Sequence, residues 1–289
     1  MTEHEARTLT DRTILITGAT RGIGYATAEA LAQMGASVIV HGRDSSRVEK
    51  ACEDLKRSAR VGKIHGVVAD LAALKDVRRL AREINQEHDR LDVLINNAGL
   101  VTRSRQETVD GLERQLAVNH LAPFLLTNLL LDKLIAAAPA RIVNVSSMAH
   151  HRAAFDINDL NWKQRRYSGI GAYGATKLAN ILFTREIAHR IEGTGVTANS
   201  LHPGVVATNI FTGMGILGTL FGVVTRPFLL PSRRGAETSV YLASSDAVDS
   251  VSGGFFDNSK PVTPARDAMD DSTAQALWQL SERLTGLFG

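Results

Sequence analysis

Residues 165–177 read RRYSGIGAYGATK and put the phenol of Tyr173 four positions before the ammonium of Lys177. On a helix, positions i and i+4 share a face, so the two groups approach each other. A free phenol titrates near 10 and is a poor base at neutral pH. Charges about 5 Å apart at an effective dielectric near 20 interact by roughly 3 kcal/mol, equivalent to about two pKa units. The spacing suits a tyrosine that exchanges a proton with an oxygen on which charge develops. Tyr167 has Gly171 four residues beyond it, and its expected role is packing or lining a pocket entrance.

Two other polar features stand near this pair. Ser146 and Ser147 end the apolar run ARIVNVSS, and adjacent strand residues face opposite ways, so only one of them can serve a given site. Asn119, in LAVNH, is polar inside a helical run that should be packing. Exposure, or a bond within its own turn, explains it as readily as function.

The elements that must hold these groups follow from hydrophobic periodicity. TILIT is a short apolar run bounded by Gly18, and GIGYATAEALAQMG repeats Ile23, Ala26, Ala30, Leu31 and Met34 at helical spacing. SVIVHG, KIHGVVAD, RLDVLINNAG, ARIVNVSS and GVTANSLHPG read as five further strands, with helical segments between them. Strands apolar on both faces that alternate with helices predict an α/β fold with a doubly wound parallel sheet. No linker divides the pattern, so one domain is expected over 13–289 after a polar leader at 1–12, with a C-terminal extension at about 257–289 that the helix STAQALWQLSERLTGLF closes.

Within TGATRGIG the glycines follow GxxxGxG. Between a strand and a helix, such a turn lets the backbone approach a pyrophosphate while the helix N-terminus presents N–H groups to it. The second strand runs VIVHGRD and reaches Arg43 before any acid. Arg43 and Arg21 can bind a 2′-phosphate by charge-assisted hydrogen bonds, which predicts NADP(H) over NAD(H). Asp44, directly after Arg43, is the feature that leaves room for NAD.

TGATRGIG, NNAG at 96–99, Asn119, the serines of NVSS, and YGATK together resemble the short-chain dehydrogenase/reductase family over residues 13 to about 256. RIVNVSSMAHH, AYGATKLANILFTREIA, GTGVTANSLHPGVV and RRGAETSVYLA are similar to its retinol dehydrogenase branch. The resemblance implies a Rossmann-type fold with the site at the carboxyl ends of the strands. It implies that Ser147 holds the substrate oxygen and that Tyr173 is the proton donor and acceptor. Lys177 would also bind the nicotinamide ribose, and Asn119 would kink its helix and complete a proton relay through a water. Gly18, Thr20, Arg21, Gly22, Ile23, Gly24 and Arg43 would hold the cofactor phosphates. Asp70 and Leu71 would lie near the adenine, and Asn97, Ala98 and Gly99 would pass close to the cofactor. Pro203, Val206 and Thr208 would meet the nicotinamide.

The implied enzyme is an NADP(H)-dependent oxidoreductase for a lipophilic carbonyl or alcohol, retinal-like or steroid-like. Phe211 and Met214, with Leu217, Leu220 and Phe221, lie in an apolar, glycine-bearing segment suited to a substrate lid at about 208–232. The alternative is a non-catalytic NADP(H)-sensing or scaffold protein, against which intact Ser147, Tyr173 and Lys177 argue. Family analogy suggests a homodimer or homotetramer.

Other classes are disfavoured by composition. The one cysteine, Cys52, excludes a disulfide framework or thiolate cluster within the chain. Adjacent His150 and His151 lack the spacing of HExxH, so no metal site is expected, and residues 148–171 are read as a wall of the substrate pocket. A net charge of +3 in scattered clusters, with aromatics at 5%, argues against nucleic acid as a partner. The amino terminus lacks signal-peptide features, and the charge-free run at 204–225 carries five glycines, so a cytoplasmic location without a membrane span is expected.

Overall fold

The computed structural model describes residues 8–59, 61–204 and 232–287. Val206, Thr208, Phe211, Met214, Leu217, Leu220 and Phe221, and with them nearly all of the expected lid, lie outside the described residues. The expected strands and helices alternate as β1 (Thr13–Ile16), α1 (Gly22–Gln33), β2 (Ser37–Gly42), α2 (Ser45–Ser58), β3 (Ile64–Val68), α3 (Leu74–Glu87) and β4 (Val93–Asn96). A broken helix follows, made of α4 (Arg114–Leu116), a π turn (Ala117–Leu121) and α5 (Ala122–Ala136). Then come β5 (Ala140–Val145), α6 (Gly169–Arg190), β6 (Val196–His202), α7 (Ser232–Ser244), β7 (Phe255–Asp257), β8 (Lys260–Pro261) and α8 (Asp271–Thr285).

These strands form one sheet in the order β3-β2-β1-β4-β5-β6-β7-β8. Each neighbouring pair is parallel except β7 with β8. Alternation along the strands explains the two covered faces. Ile14, Ile16, Val38, Val40, Val143 and Val145 join a core with Leu31, Val48, Leu55 and Leu242 of α1, α2 and α7. Leu15, Ile39, Leu94 and Ile142 face the other way, into a core with Leu80, Ile84, Phe124, Leu130 and Phe183 of α3, α5 and α6. The order reverses between β1 and β4, where β1 pairs with β2 on one side and β4 on the other. The carboxyl ends of strands beside such a switch point open a crevice that ligands occupy.

The structure differs from the sequence reading at several edges. Two strands extend the expected six: Phe256, read as the end of the main pattern, pairs with Leu201 of β6 and with Pro261 of β8. The C-terminal extension therefore begins inside the sheet. Asp92, just before the four-residue β4, keeps backbone bonds to Thr13 and Arg141, while its carboxylate pairs with Arg12 and Arg90 and accepts the Thr13 N–H. In α1 the buried side is Gly24, Ala26, Thr27, Ala28, Leu31 and Ala32, so Ile23, Ala30 and Met34 of the expected stripe are only partly covered. Helix α8 closes the fold as expected, with Asp270 capping it and Trp278 meeting Phe124 edge-on at 4.9 Å.

Candidate active site

The glycine turn is built by hydrogen bonds that bring three strand ends together. Gly18 and Gly22 adopt φ of +66° and +62°, conformations that side chains disfavour. Thr17 leaves β1, and its hydroxyl accepts the N–H groups of Asn97 (2.9 Å) and Ala98 (3.0 Å). The Asn97 amide donates back to the Thr17 carbonyl at 2.8 Å. A Cβ on Gly24 would sit 2.4 Å from that amide nitrogen and 2.5 Å from the Gly18 oxygen, so glycine is required there for close packing. NNAG and TGATRGIG are thus one interlocked unit.

His41 completes it. The Gly18 N–H donates to His41 Nδ1 (3.2 Å), leaving Nε2–H to donate to the Ala69 carbonyl (3.1 Å). Burial pushes this imidazole down to about 4, so it stays neutral. Beyond Ala69, Asp70 is exposed and Leu71 buried, and the Asp70 carboxylate accepts the Ala72 N–H at 3.0 Å. Both expected adenine neighbours thus follow directly after Ala69, the residue His41 links to the glycine turn.

The residues present fit a dinucleotide. Helix α1 has no capping side chain at Arg21 and no acid in its first turn, so its positive end is free to meet an anion. Arg21 and Arg43 are both exposed beside it. The Thr20 methyl lies against Gly42, where an added Cβ would meet it at 2.6 Å, which draws the turn to the end of β2. Asp44 is occupied otherwise: its carboxylate caps α2 by accepting the Arg47 N–H (3.0 Å) and the Ser46 hydroxyl (2.8 Å).

Tyr173 and Lys177 lie on α6, whose first turn is capped by the Ser168 hydroxyl accepting the Gly171 N–H. Gly174 lets this helix touch the 148–152 turn, since a Cβ there would come within 2.7 Å of the Ala149 oxygen. The two serines separate as the pleat demands. Ser146 is buried and donates to the Lys177 carbonyl at 2.7 Å, whereas Ser147 Oγ accepts the Ala149 N–H at 3.2 Å and stands on the side of the Tyr173 phenol, whose proton affinity it lowers. Lys177 Nζ donates to the Val145 carbonyl at 2.9 Å. An ammonium has three donors, so two are left for other partners.

The electrostatic expectation for the tyrosine needs correction. Lys177 Nζ sits over the ring, 5.6 Å from its centroid, with one bond spent on the strand carbonyl. Burial outweighs any help it gives: the phenol is pushed up to about 12, with Ser147 opposing that shift. Burial also pushes Lys177 down to about 8. Burial shifts both groups toward their neutral forms, the phenol fully so at neutral pH while the ammonium keeps its charge up to about pH 8.

Asn119 is fully buried, which removes exposure as its explanation. Its side chain accepts the Leu100 N–H (2.8 Å) and donates to the Leu100 carbonyl (2.9 Å) and to Thr176 Oγ1 (3.1 Å). Pro123, just after the π turn, has no N–H for the carbonyl four residues back, that of Asn119 itself, so the regular helical ladder is interrupted at this residue. Gly99 is the meeting point, where a Cβ would stand 3.4 Å from Lys177 Nζ and 3.5 Å from Asn119 Oδ1. Pro203 and Gly204, both partly exposed, follow β6.

The segment 148–171 carries residues that sequence reasoning did not rank. His150 Nδ1–H donates to the Ser147 carbonyl (2.7 Å), and its Nε2 accepts the Ala265 N–H (3.1 Å), so the C-terminal segment is linked to the serine. Tyr167 packs edge-on against Trp162. Its hydroxyl bonds Thr102 (2.7 Å), Gln115 (2.6 Å) and Glu113 (2.9 Å), and burial pushes the phenol up to about 12. Of the two roles expected for it, the structure shows packing. Only the AHH run signalled His150, and nothing local signalled Glu113.

Sheet order, glycine turn and switch-point crevice define a dinucleotide-binding α/β protein. Residues 12–215 match the family model for short chain dehydrogenase, and the chain belongs to that family of nicotinamide-dependent oxidoreductases. It is 44% identical to human retinol dehydrogenase 13 over 285 residues, covering 97% of this chain and 86% of the relative. A solved structure of an uncharacterised protein from Mycobacterium paratuberculosis superposes with a TM-score of 0.80 at 37% identity, covering 99% of this chain and 97% of that one. A second, titled as a putative NAD(P)-dependent gluconate 5-dehydrogenase from Beutenbergia cavernae with bound NADP, gives 0.70 at 29% identity, covering 87% and 96%. Among the described residues no helix is long and apolar enough to cross a membrane.

Proposed function

We propose that the protein transfers a hydride between NADP(H) and a lipophilic carbonyl or alcohol, with Tyr173 as the proton donor and acceptor. The observation that carries this reading is the buried Lys177 with its Nζ 5.6 Å from the centroid of the Tyr173 ring, beside Ser147, whose influence lowers the proton affinity of that phenol. A bound nicotinamide supplies or accepts the hydride. A phenol that stays protonated at neutral pH is ready to donate to the oxygen of a carbonyl being reduced. Ser147 holds that same oxygen, and its hydrogen bond strengthens as negative charge builds there. Lys177 has two donors left for the ribose hydroxyls, and Asn119 holds the adjoining Leu100 strap in place, where a water can connect Lys177 to solvent.

NADP(H) is favoured over NAD(H) because Arg21 and Arg43 flank the turn while Asp44 is committed to capping α2. The lipophilic substrate class rests on the likeness to a retinol dehydrogenase and on Met148, 43% exposed beside Ser147. A reducing, cytoplasmic setting fits the single buried thiol of Cys52. NADPH oxidation followed at neutral pH across apolar aldehydes and ketones, retinal included, tests the reading. Turnover of the apolar members is expected. Tight NADPH binding with no turnover of any of them would refute it.

A further inference from the structure

Among the described residues, only His65, Glu87 and His88 bring three metal-ligating groups together, with one ligand atom from each lying within 4.8 Å of the others. His65 is on β3, the edge strand of the sheet, and Glu87 and His88 stand where α3 ends. His65 Nδ1 and His88 Nε2 face each other at 3.1 Å, with ring centroids 5.1 Å apart. Glu87 Oε2 is 3.8 Å from the other ring nitrogen of His65, Nε2, and one ligand atom of each residue still lies within 4.8 Å of the other two. We propose that these three side chains form a surface site for a borderline divalent transition-metal ion such as zinc, with water completing the coordination.

The geometry is close to what such an ion requires. Two imidazole nitrogens on one tetrahedral zinc, each about 2.0–2.1 Å from the metal, stand about 3.4 Å apart. The observed separation is reached by a change of a few tenths of an ångström in the exposed His65 and the partly exposed His88. Two imidazoles and a carboxylate suit zinc, nickel or copper better than magnesium or calcium, which prefer all-oxygen sets. Lys133 Nζ donates to the His88 carbonyl, which fixes the backbone of one ligand before any ion arrives. His65 pairs with Ile39 toward the start of β3, far along the strand from Ala69 and the glycine turn. An ion there clips α3 to the edge strand at the end of the sheet away from the nicotinamide. Because the ligands come from two elements, no local spacing in the sequence announces them.

The test uses the full chain without an affinity tag, stripped with chelator and titrated calorimetrically with zinc chloride at pH 7.5. One zinc per chain with micromolar affinity is expected, weakened at least about tenfold by His65→Ala and by His88→Ala. Glu87→Gln, which preserves shape, should weaken it severalfold and guards against a folding defect in the histidine variants. Zinc should raise the thermal midpoint of the wild type and magnesium should not. Affinity no better than millimolar, stoichiometric binding that survives both histidine variants, or an equal response to magnesium would overturn the proposal.

Discussion

Lowering the pH should unlock the glycine turn through His41, and the size of the effect follows from its burial. In the unfolded chain this imidazole titrates near 6.5; in the folded protein burial holds it at about 4, against the opposing influence of the Ala69 carbonyl bond and Asp70. As pH falls, the unfolded chain takes up the proton first. The stability is therefore intact above about 6.5 and is lost progressively down to about 4. The full difference is about 3 kcal/mol, and about 2 kcal/mol of it is gone by pH 5. Protonating Nδ1 also removes the acceptor for the Gly18 N–H, so cofactor affinity should fall in the same window. The assay is urea unfolding at pH 7, 6 and 5 for wild type and His41→Gln. The variant starts less stable because two bonds are lost, but its loss between pH 7 and 5 should be smaller by about 2 kcal/mol. Using the difference between the two proteins removes the parallel contribution of His120, which burial also holds at about 4. Equal pH slopes would refute the reasoning.

Three further outcomes are expected. Arg43→Ala should weaken NADP binding about 10- to 100-fold, the equivalent of one lost charge-assisted hydrogen bond, while NAD binding changes little; dissociation constants for both cofactors check this. Asn119→Ala strands the Leu100 backbone groups it clamps and should cost roughly 2–4 kcal/mol in denaturant unfolding. Lys177 loses its charge above about pH 8, so NADPH affinity should decline as pH rises through that value in the wild type, and the step should be absent in Lys177→Met.

The parts of this protein legible from sequence are those governed by local pattern. TILIT and SVIVHG announce β1 and β2 because both faces of a parallel strand must be apolar, and Tyr173 and Lys177 announce themselves by helical spacing. The serine pair was separable only in kind: alternation says that one of two must face the site, and it took the fold to turn Ser146 toward the α6 backbone and Ser147 toward the phenol. The two last strands, of three and two residues, are too short to carry a period. His41 carries no local signal, because its partners Gly18 and Ala69 belong to other elements. The electrostatic argument for Tyr173 failed in sign for the protein without cofactor, since spacing gives proximity along a helix and says nothing of how much water is excluded. His150 and Ala265 are brought together by β7 and β8, so their contact had no sequence signal.

The central claim is that Tyr173 moves the proton. Its most direct test is the single-turnover rate of NADPH oxidation with an apolar aldehyde for wild type and Tyr173→Phe, alongside the NADPH dissociation constant of each. The account predicts an unchanged dissociation constant and a rate reduced by about 10²- to 10⁴-fold in the variant. A Tyr173→Phe protein that reduces the aldehyde at the wild-type rate would contradict it.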